Sequence, residues 1–357
     1  ALVMKDGGLF STIQDAGRFG YQRFGISASG AMDAVGLRLA NALAGNPPGM
    51  AAIETTMSGP TFTVEADRCR IAVAGDVAVT ISGKAAESWR AHELVRGDVV
   101  RIGAMRTGMR GYVAVTGGFD IPPVLGSLST HTRSGIGGLD GGPLKAGDRL
   151  ALCAPAASGP CLALGEAHRP RVGRGTIRVM LGPQADAFTD AGIETFLTGS
   201  YSISSKADRM GYQFDGPPIE HRSGFNVVSD GIMNGSIQVP GSRRPIVLLA
   251  DRQSTGGYPK IATVVEPDLP ALGQARPGDT LRFEAIDGAA AEALARRHRD
   301  AVSAMVAAIA PARAAEDALT ADRLLGFNLV GGVVSGTSDP FDPAASHDDV
   351  DTGWEQP

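Results

Sequence analysis

Along the first third of the chain, apolar positions come in short runs that alternate with polar ones. TFTV (Thr61–Val64), RIAVAG (Arg70–Gly75), VAVTI (Val77–Ile81), DVVRIG (Asp98–Gly103) and GYVAVTGG (Gly111–Gly118) are the clearest. Runs of this length, bounded by Gly, Asp and Ser, predict β-strands. Strands so short and turns so frequent point to a sandwich or a barrel. One stretch changes the period. SGAMDAVGLRLANALAG (Ser29–Gly45) sets Met32, Val35, Leu39 and Leu43 on one helical face, with Ser29 as N-cap and Gly45 as C-terminal cap.

A second β-rich block runs from TIRVMLGP (Thr176–Pro183) to LRFEAI (Leu281–Ile286), with a short helical segment near Ala185–Phe196. Between the blocks, Cys153–Gly175 is rich in Ala, Gly and Pro and has no period, so it reads as a linker. After Asp287, AEALARRHRDAVSAMVAAIAP predicts a helix with Leu294, Val302, Met305 and Ile309 on its apolar side, ended by Pro311. The polar, acidic SHDDVDTGWEQP at the end reads as a mobile tail. The expected organisation is a β domain over 1–165, a second over 166–287, and a helix with tail over 288–357. A weak echo, RGDVVRI (Arg96–Ile102), KAGDRLAL (Lys145–Leu152) and RPGDTLRF (Arg276–Phe283), fits either a common turn entering a strand or a duplicated domain.

Composition narrows the function. The chain has 357 residues, 48 of them Gly, with 43% hydrophobic and 5% aromatic residues, which suits glycine-rich turns around sizeable cores. A net charge of −5 and the lack of a basic tract argue against a nucleic-acid partner. No apolar stretch is long enough to span a membrane. Three cysteines form no disulfide framework and fit a reducing cytoplasm, and neither they nor the six histidines show metal-ligand spacing.

Four polar clusters could carry chemistry. In VLLADRQSTGGYPK (Val247–Lys260) an apolar run stops at Asp251. Asp251 is a candidate general base, with Arg252 and Lys260 to hold an anion. Gln253, Ser254 and Thr255 can read an amide, Gly256 and Gly257 leave room for backbone N–H donors, and Tyr258 adds a phenol. In Ser11–Asp33, the residues Gln14, Asp15, Arg18 and Tyr21 precede a loop of small residues, Ser29 included, at a helix N-terminus that can face an anion. Asp15 and Arg18 can equally pair and pin the first strand. In Gly117–Leu144, double glycines flank Arg133, a candidate carboxylate ligand. In SSKADRMGYQFDGP, Asp208 and Arg209 follow a strand and read either as ligands or as a salt-bridged turn.

STIQDAGRFGYQRFGISASGAMD, GYVAVTGGFDIPPVLGSLSTHTRSGIGG, ADRMGYQFDGP and PIVLLADRQSTGGYPKIATV closely resemble, in order, the allophanate hydrolase subunit 2 family, also called biotin-dependent carboxyltransferase or the C-type component of 5-oxoprolinase. The resemblance covers Leu2 to Ile286, and LLGFNLVGGVV (Leu324–Val334) is similar to family C-termini. It implies a mainly β fold of two tandem cyclophilin-like barrels. It implies a subunit 1-type (B-type) partner protein, a further subunit and a small amide-like substrate. The preferred activity is ATP-dependent opening of 5-oxoproline to glutamate, with ATP used by the whole complex, because this chain has no ATP motif. One alternative is carboxyl transfer to urea or a similar acceptor, with carboxybiotin supplied in trans. Another is a non-catalytic regulatory binder.

Overall fold

The computed structural model describes residues 1–153, 159–171 and 175–312. The chain is mainly β. Its first half holds two sheets, its second a closed barrel. One sheet has six strands, in the order Arg149–Leu150, Leu2–Asp6, Thr61–Val64, Val99–Met105, Val77–Ile81 and Lys84–Ala86. The other has seven: Phe10–Gln14, Ala52–Thr56, Arg110–Val115, Arg68–Ala74, Arg90–Val95, Leu162–Ala163 and Ala310–Pro311.

Alternation of large and small residues explains how the second sheet is covered on both faces. Ile71, Val73, Val113 and Val115 point into the core shared with the first sheet. Their neighbours Ala72, Ala74, Tyr112 and Ala114 point the other way, beneath helix α1 (Ala34–Ala44). The three alanines let α1 lie close, and Leu39 and Leu43 fill the gap. Hence every residue of Arg110–Val115 is buried.

Helix α1 departs from expectation at its start. Its N-cap is Asp33, not Ser29: the Asp33 carboxylate accepts from the N–H groups of Val35 and Gly36 at 3.0 and 2.9 Å. Ser29 lies outside the helix with φ of 54°. Gly45 caps the other end as predicted, at φ of 74°. Met32 does not share the helical face. It packs into the core of the barrel and so ties the two halves together.

The barrel is closed by Thr176–Leu181, Lys260–Val264, Ser236–Gln238, Ile246–Leu248, Gly211–Asp215, Tyr201–Ala207 and Thr280–Ala285. Its aromatic core centres on Phe283, stacked on Phe196 at 4.7 Å and met edge-on by Phe214 at 5.8 Å. Helices α2 (Asp190–Thr198) and α3 (Leu269–Gln274) flank it. Helix α4 (Gly288–Ala307) packs Val302 and Met305 beside α1. It ends before Pro311, whose segment instead pairs with Leu162–Ala163. The described part of the expected linker thus extends a sheet. The acidic tail lies outside the described residues, as does Leu324–Val334.

The Gly-Asp echo is one turn used three times. Gly97, Gly147 and Gly278 all sit near φ of 90°, at 91, 89 and 89°. Asp98, Asp148 and Asp279 each accept, at 2.9 Å, from the N–H three residues earlier. Each glycine N–H then reaches a carbonyl of a neighbouring strand at 2.8 Å: Val64, Met4 and Ile203. Left-handed backbone demands glycine and the free N–H demands a short acid, so turn chemistry by itself produces the pattern.

Candidate functional site

The strand Phe10–Gln14 delivers the first cluster to the edge of its sheet. Asp15 and Arg18 form no ion pair. They brace the segment 124–130 separately. The Asp15 carboxylate accepts from the Ser127 and Ser129 hydroxyls at 2.7 and 2.5 Å and from the N–H groups of Leu128 and Gly17 at 2.7 and 2.8 Å. Arg18 is buried and donates from Nε to the Val124 carbonyl at 3.0 Å and from Nη2 to that of Ser129 at 2.7 Å. Its Nη1 has no protein partner. Burial lowers the Arg18 pKa, while Asp15 and Asp251 oppose that shift. Gln14 donates to Thr12 and Thr130 and leaves Oε1 buried without a donor. The Ser27 and Ser29 hydroxyls are buried and unpartnered as well.

Gly137 explains one of the double glycines. At φ of 72°, a Cβ there would lie 2.0 Å from the Ser129 carbonyl oxygen and 2.6 Å from Arg18 Nη2. Gly137→Ala therefore combines left-handed strain with a backbone clash, and should cost about 2–4 kcal/mol in chemical denaturation. A loss below ~1 kcal/mol would show that the 129–137 backbone yields freely.

Arg209 is the hub where the halves meet. It forks onto Asp251, from Nε to Oδ2 at 2.9 Å and from Nη2 to Oδ1 at 3.1 Å. It also donates from Nη1 to Glu54 Oε1 at 2.5 Å and from Nη2 to the Gly30 carbonyl at 2.7 Å. All three side chains are buried. Burial opposes the charge on Arg209, yet Glu54 and Asp251 hold its pKa above the ordinary value. Asp251 thus has both oxygens on a guanidinium, which corrects the expectation of a free general base.

Glu54 continues the network. Its Oε2 accepts from Tyr112 Oη at 2.7 Å and from the Met32 N–H at 2.8 Å. Tyr112 Oη in turn accepts from the Asp33 N–H at 2.9 Å. Arg110, with Nε 3.7 Å from Glu54, donates to Tyr212 Oη at 2.8 Å and to the Gly273 carbonyl. Gln274 closes the circuit by donating to Asp33 Oδ2 at 2.7 Å. Burial pushes the Asp33 carboxyl up, against the bonds from Gln274, Gly36 and Val35, and burial also pushes the Tyr112 phenol well up. A carboxylate therefore already occupies the N-terminus of α1, so the expected anion cradle at that helix is not formed.

The barrel loop supplies the rest. Arg252 is buried, with Nε on the Ile232 carbonyl at 3.2 Å, and burial lowers its pKa against the pull of Asp251. Gln253 reaches Gln238 at 3.4 Å and leaves its own Oε1 unpartnered. Thr255 and Gly256 pair with Gly231 and Asp230 as a two-stranded ribbon. A Cβ on Gly256 would meet Gln238 Nε2 at 2.5 Å, whereas Gly257 has ordinary room. Tyr258 is 40% exposed. Lys260 is buried and held by Asp230 at 2.6 Å and the Gly231 carbonyl at 3.0 Å, so it is not a free cation. That bond holds the Asp230 carboxyl below its usual range. Arg133 meets Asp208 at 3.4 Å on the surface, and Asp208 also caps the N–H of Met210 at 2.8 Å. Arg133 and Asp208 thus form a surface ion pair across the seam, while Arg209 pairs with Glu54 and Asp251 instead of Asp208. Tyr21 precedes a single turn whose Gln22 donates to the Ile232 carbonyl at 2.8 Å, fastening the first loop to the barrel.

The fold thus gathers loops 14–30, 124–137, 208–209 and 250–257 at one seam. Glu54, Tyr112, Arg110, Gln238, Asp230 and Gln274 escaped the sequence reading. Only Glu54 carried a signal, as a lone acid inside the strand Ala52–Thr56. A cleft of about 680 Å³, lined by Trp89, Met105, His298 and Val302, reaches the other side of the network at Asp33 and Gln274, and includes none of the sequence-derived site residues.

Residues 24–285 match the model of the carboxyltransferase domain, subdomains A and B. The chain belongs to this carboxyltransferase-domain family. It is 38% identical over 288 residues to the C component of 5-oxoprolinase from Haemophilus influenzae, covering 81% of this chain and 92% of that protein. Among solved structures, K. lactis urea amidolyase superposes with a TM-score of 0.80 at 29% identity, over 85% of this chain and 20% of that one. TTHA0988 superposes with a TM-score of 0.72 at 35% identity, over 80% of this chain and 55% of that one. The carboxyltransferase-domain chain described here therefore spans a fifth of the first solved relative and about half of the second.

Proposed function

We propose that this chain is the C component of a heteromeric, ATP-dependent 5-oxoprolinase, in which partner proteins complete the enzyme and ATP is used by the complex. The observation that carries this reading is the match to 92% of the Haemophilus influenzae 5-oxoprolinase C component. The seam chemistry supports it. An amide-like substrate offers one acceptor oxygen and one N–H. Arg18 Nη1 and the hydroxyls of Ser27 and Ser29 are buried donors without partners, and Gln14 Oε1 and Gln253 Oε1 are buried acceptors without partners. Arg18 holds the carbonyl oxygen as negative charge develops on it. Asp251, through Arg209 and its field at Arg18, positions rather than takes the proton. A cytoplasmic location accords with three free thiols.

Carboxyl transfer is the second reading, favoured by the family description and by the likeness to urea amidolyase. The same orphan donors and acceptors fit a ureido group. Arg18, Ser29 and Gln253 would hold carboxybiotin supplied in trans, and that group would bring the transferable carboxyl.

Reconstitution with the B-type partner protein and the further subunit separates the readings. We expect ADP release that depends on 5-oxoproline, and none from this chain alone. Carboxybiotin turnover with urea, without oxoproline-dependent ADP release, would transfer the assignment to the second reading.

A further inference from the structure

We propose that the rim of the seam is the docking surface for a second polypeptide of the kind that makes up the rest of the TTHA0988 chain. Eight of the twelve exposed large apolar side chains among the described residues stand on loops bordering the seam. The most exposed are Val228 at 91%, Phe19 at 72%, Met233 at 67% and Phe24 at 64%. Val124 and Tyr258 join them.

These loops are fastened to one another. Arg18 holds the Val124 carbonyl, Gln22 holds that of Ile232, and the Val227 N–H donates to the Gly257 carbonyl at 2.9 Å. The rim is therefore a coherent surface, not scattered exposure. Its chemistry is that of a protein interface: Phe, Met and Tyr, with the Arg23 guanidinium 4.8 Å over the Phe24 ring. A lipid surface would favour a basic surround, but the chain carries a net charge of −5 and Arg133 beside the seam is paired with Asp208.

The occupant follows from the relatives. This chain accounts for 55% of TTHA0988 and 20% of the K. lactis protein, so in both the carboxyltransferase domain is joined to further polypeptide. In a chain where that polypeptide is separate, a surface must hold it. The surface assignment does not depend on which amide is the substrate.

The test is binding of the full chain to the B-type partner protein by titration calorimetry. Phe19→Ser with Phe24→Ser, and Val228→Ser with Met233→Ser, should each weaken binding about tenfold or more. Leu9→Ser with Met180→Ser, exposed elsewhere, should leave it unchanged. Amide exchange should slow in 18–26 and 225–233 when the partner is added. Equal affinity for rim and control variants would overturn the proposal, as would absence of exchange protection at the rim. Rim-dependent self-association, or rim-dependent binding to phosphatidylglycerol vesicles without the partner effect, would overturn it too. A rim-dependent complex without oxoprolinase activity would support the surface while refuting the substrate reading.

Discussion

Glu54→Ala should lower stability by about 3–5 kcal/mol, read as a shift of the denaturation midpoint. The reason is what the substitution strands. Arg209 Nη1 loses its 2.5 Å acceptor, Tyr112 Oη its 2.7 Å acceptor and the Met32 N–H its 2.8 Å acceptor, all in buried surroundings. Arg110, 3.7 Å away with its Nε already unpartnered, loses the carboxylate whose field favours its charge. A surface ion pair would contribute no more than about 1 kcal/mol, because water takes over for the missing partner. Here no water competes. Glu54→Gln, which keeps the volume and one oxygen, should fall between. A double-mutant cycle with Arg209→Met should give a coupling of about 1–3 kcal/mol. If Glu54→Ala costs less than ~1 kcal/mol, the network contributes little to holding the halves together.

The second large effect is on activity. Arg18→Ala in the reconstituted complex should reduce kcat/KM about 100- to 1,000-fold, the range for removing one preorganised donor from a developing oxyanion. Arg18 uses Nε and Nη2 of its guanidinium on the carbonyls of Val124 and Ser129 and leaves Nη1 without a partner. Lysine has a single point of charge and cannot serve three directions in one plane, so Arg18→Lys should recover little. Because the alanine variant also loosens 124–130, melting alone does not report the chemistry. Partial rescue of activity by added guanidinium with no recovery of the melting temperature does, since a cation that only restored the brace would raise both. Activity within threefold of native would remove Arg18 from the site.

Much of the fold was legible because it follows from local rules. The short apolar run RIAVAG (Arg70–Gly75) declares a strand; that Ala72 and Ala74 lie under α1 while Ile71 and Val73 face the other core came from the structure. Gly45 at the end of an apolar-periodic stretch declares a helix stop. Errors arose where two residues compete for one role. Ser29 and Asp33 both suit a helix start, and the acid won because its carboxylate reaches two N–H groups while Gln274 from the barrel meets its other oxygen. Pro311 lies beyond the end of α4 because its segment is drawn to the edge strand Leu162–Ala163.

The site divides in the same way. Residue types alone singled out the loops that the fold gathers at the seam: hydroxyls, amides, guanidinium groups and glycines at strand ends are present in the chain before it folds. What each group does was settled by partners far away in the chain. Asp251 is saturated by Arg209 across 42 residues, and Lys260 is held by Asp230 across 30. Glu54 meets Arg209 across 155. An ionisable side chain has the same formula whether free or paired, and only the approach of the two halves decides which donors and acceptors are left over. Turns, the Gly45 helix stop and the apolar patterning of the strands depend on neighbours along the backbone and were written in the amino-acid order. The division between bracing groups and available groups depends on burial and long-range pairing, and belonged to the tertiary structure.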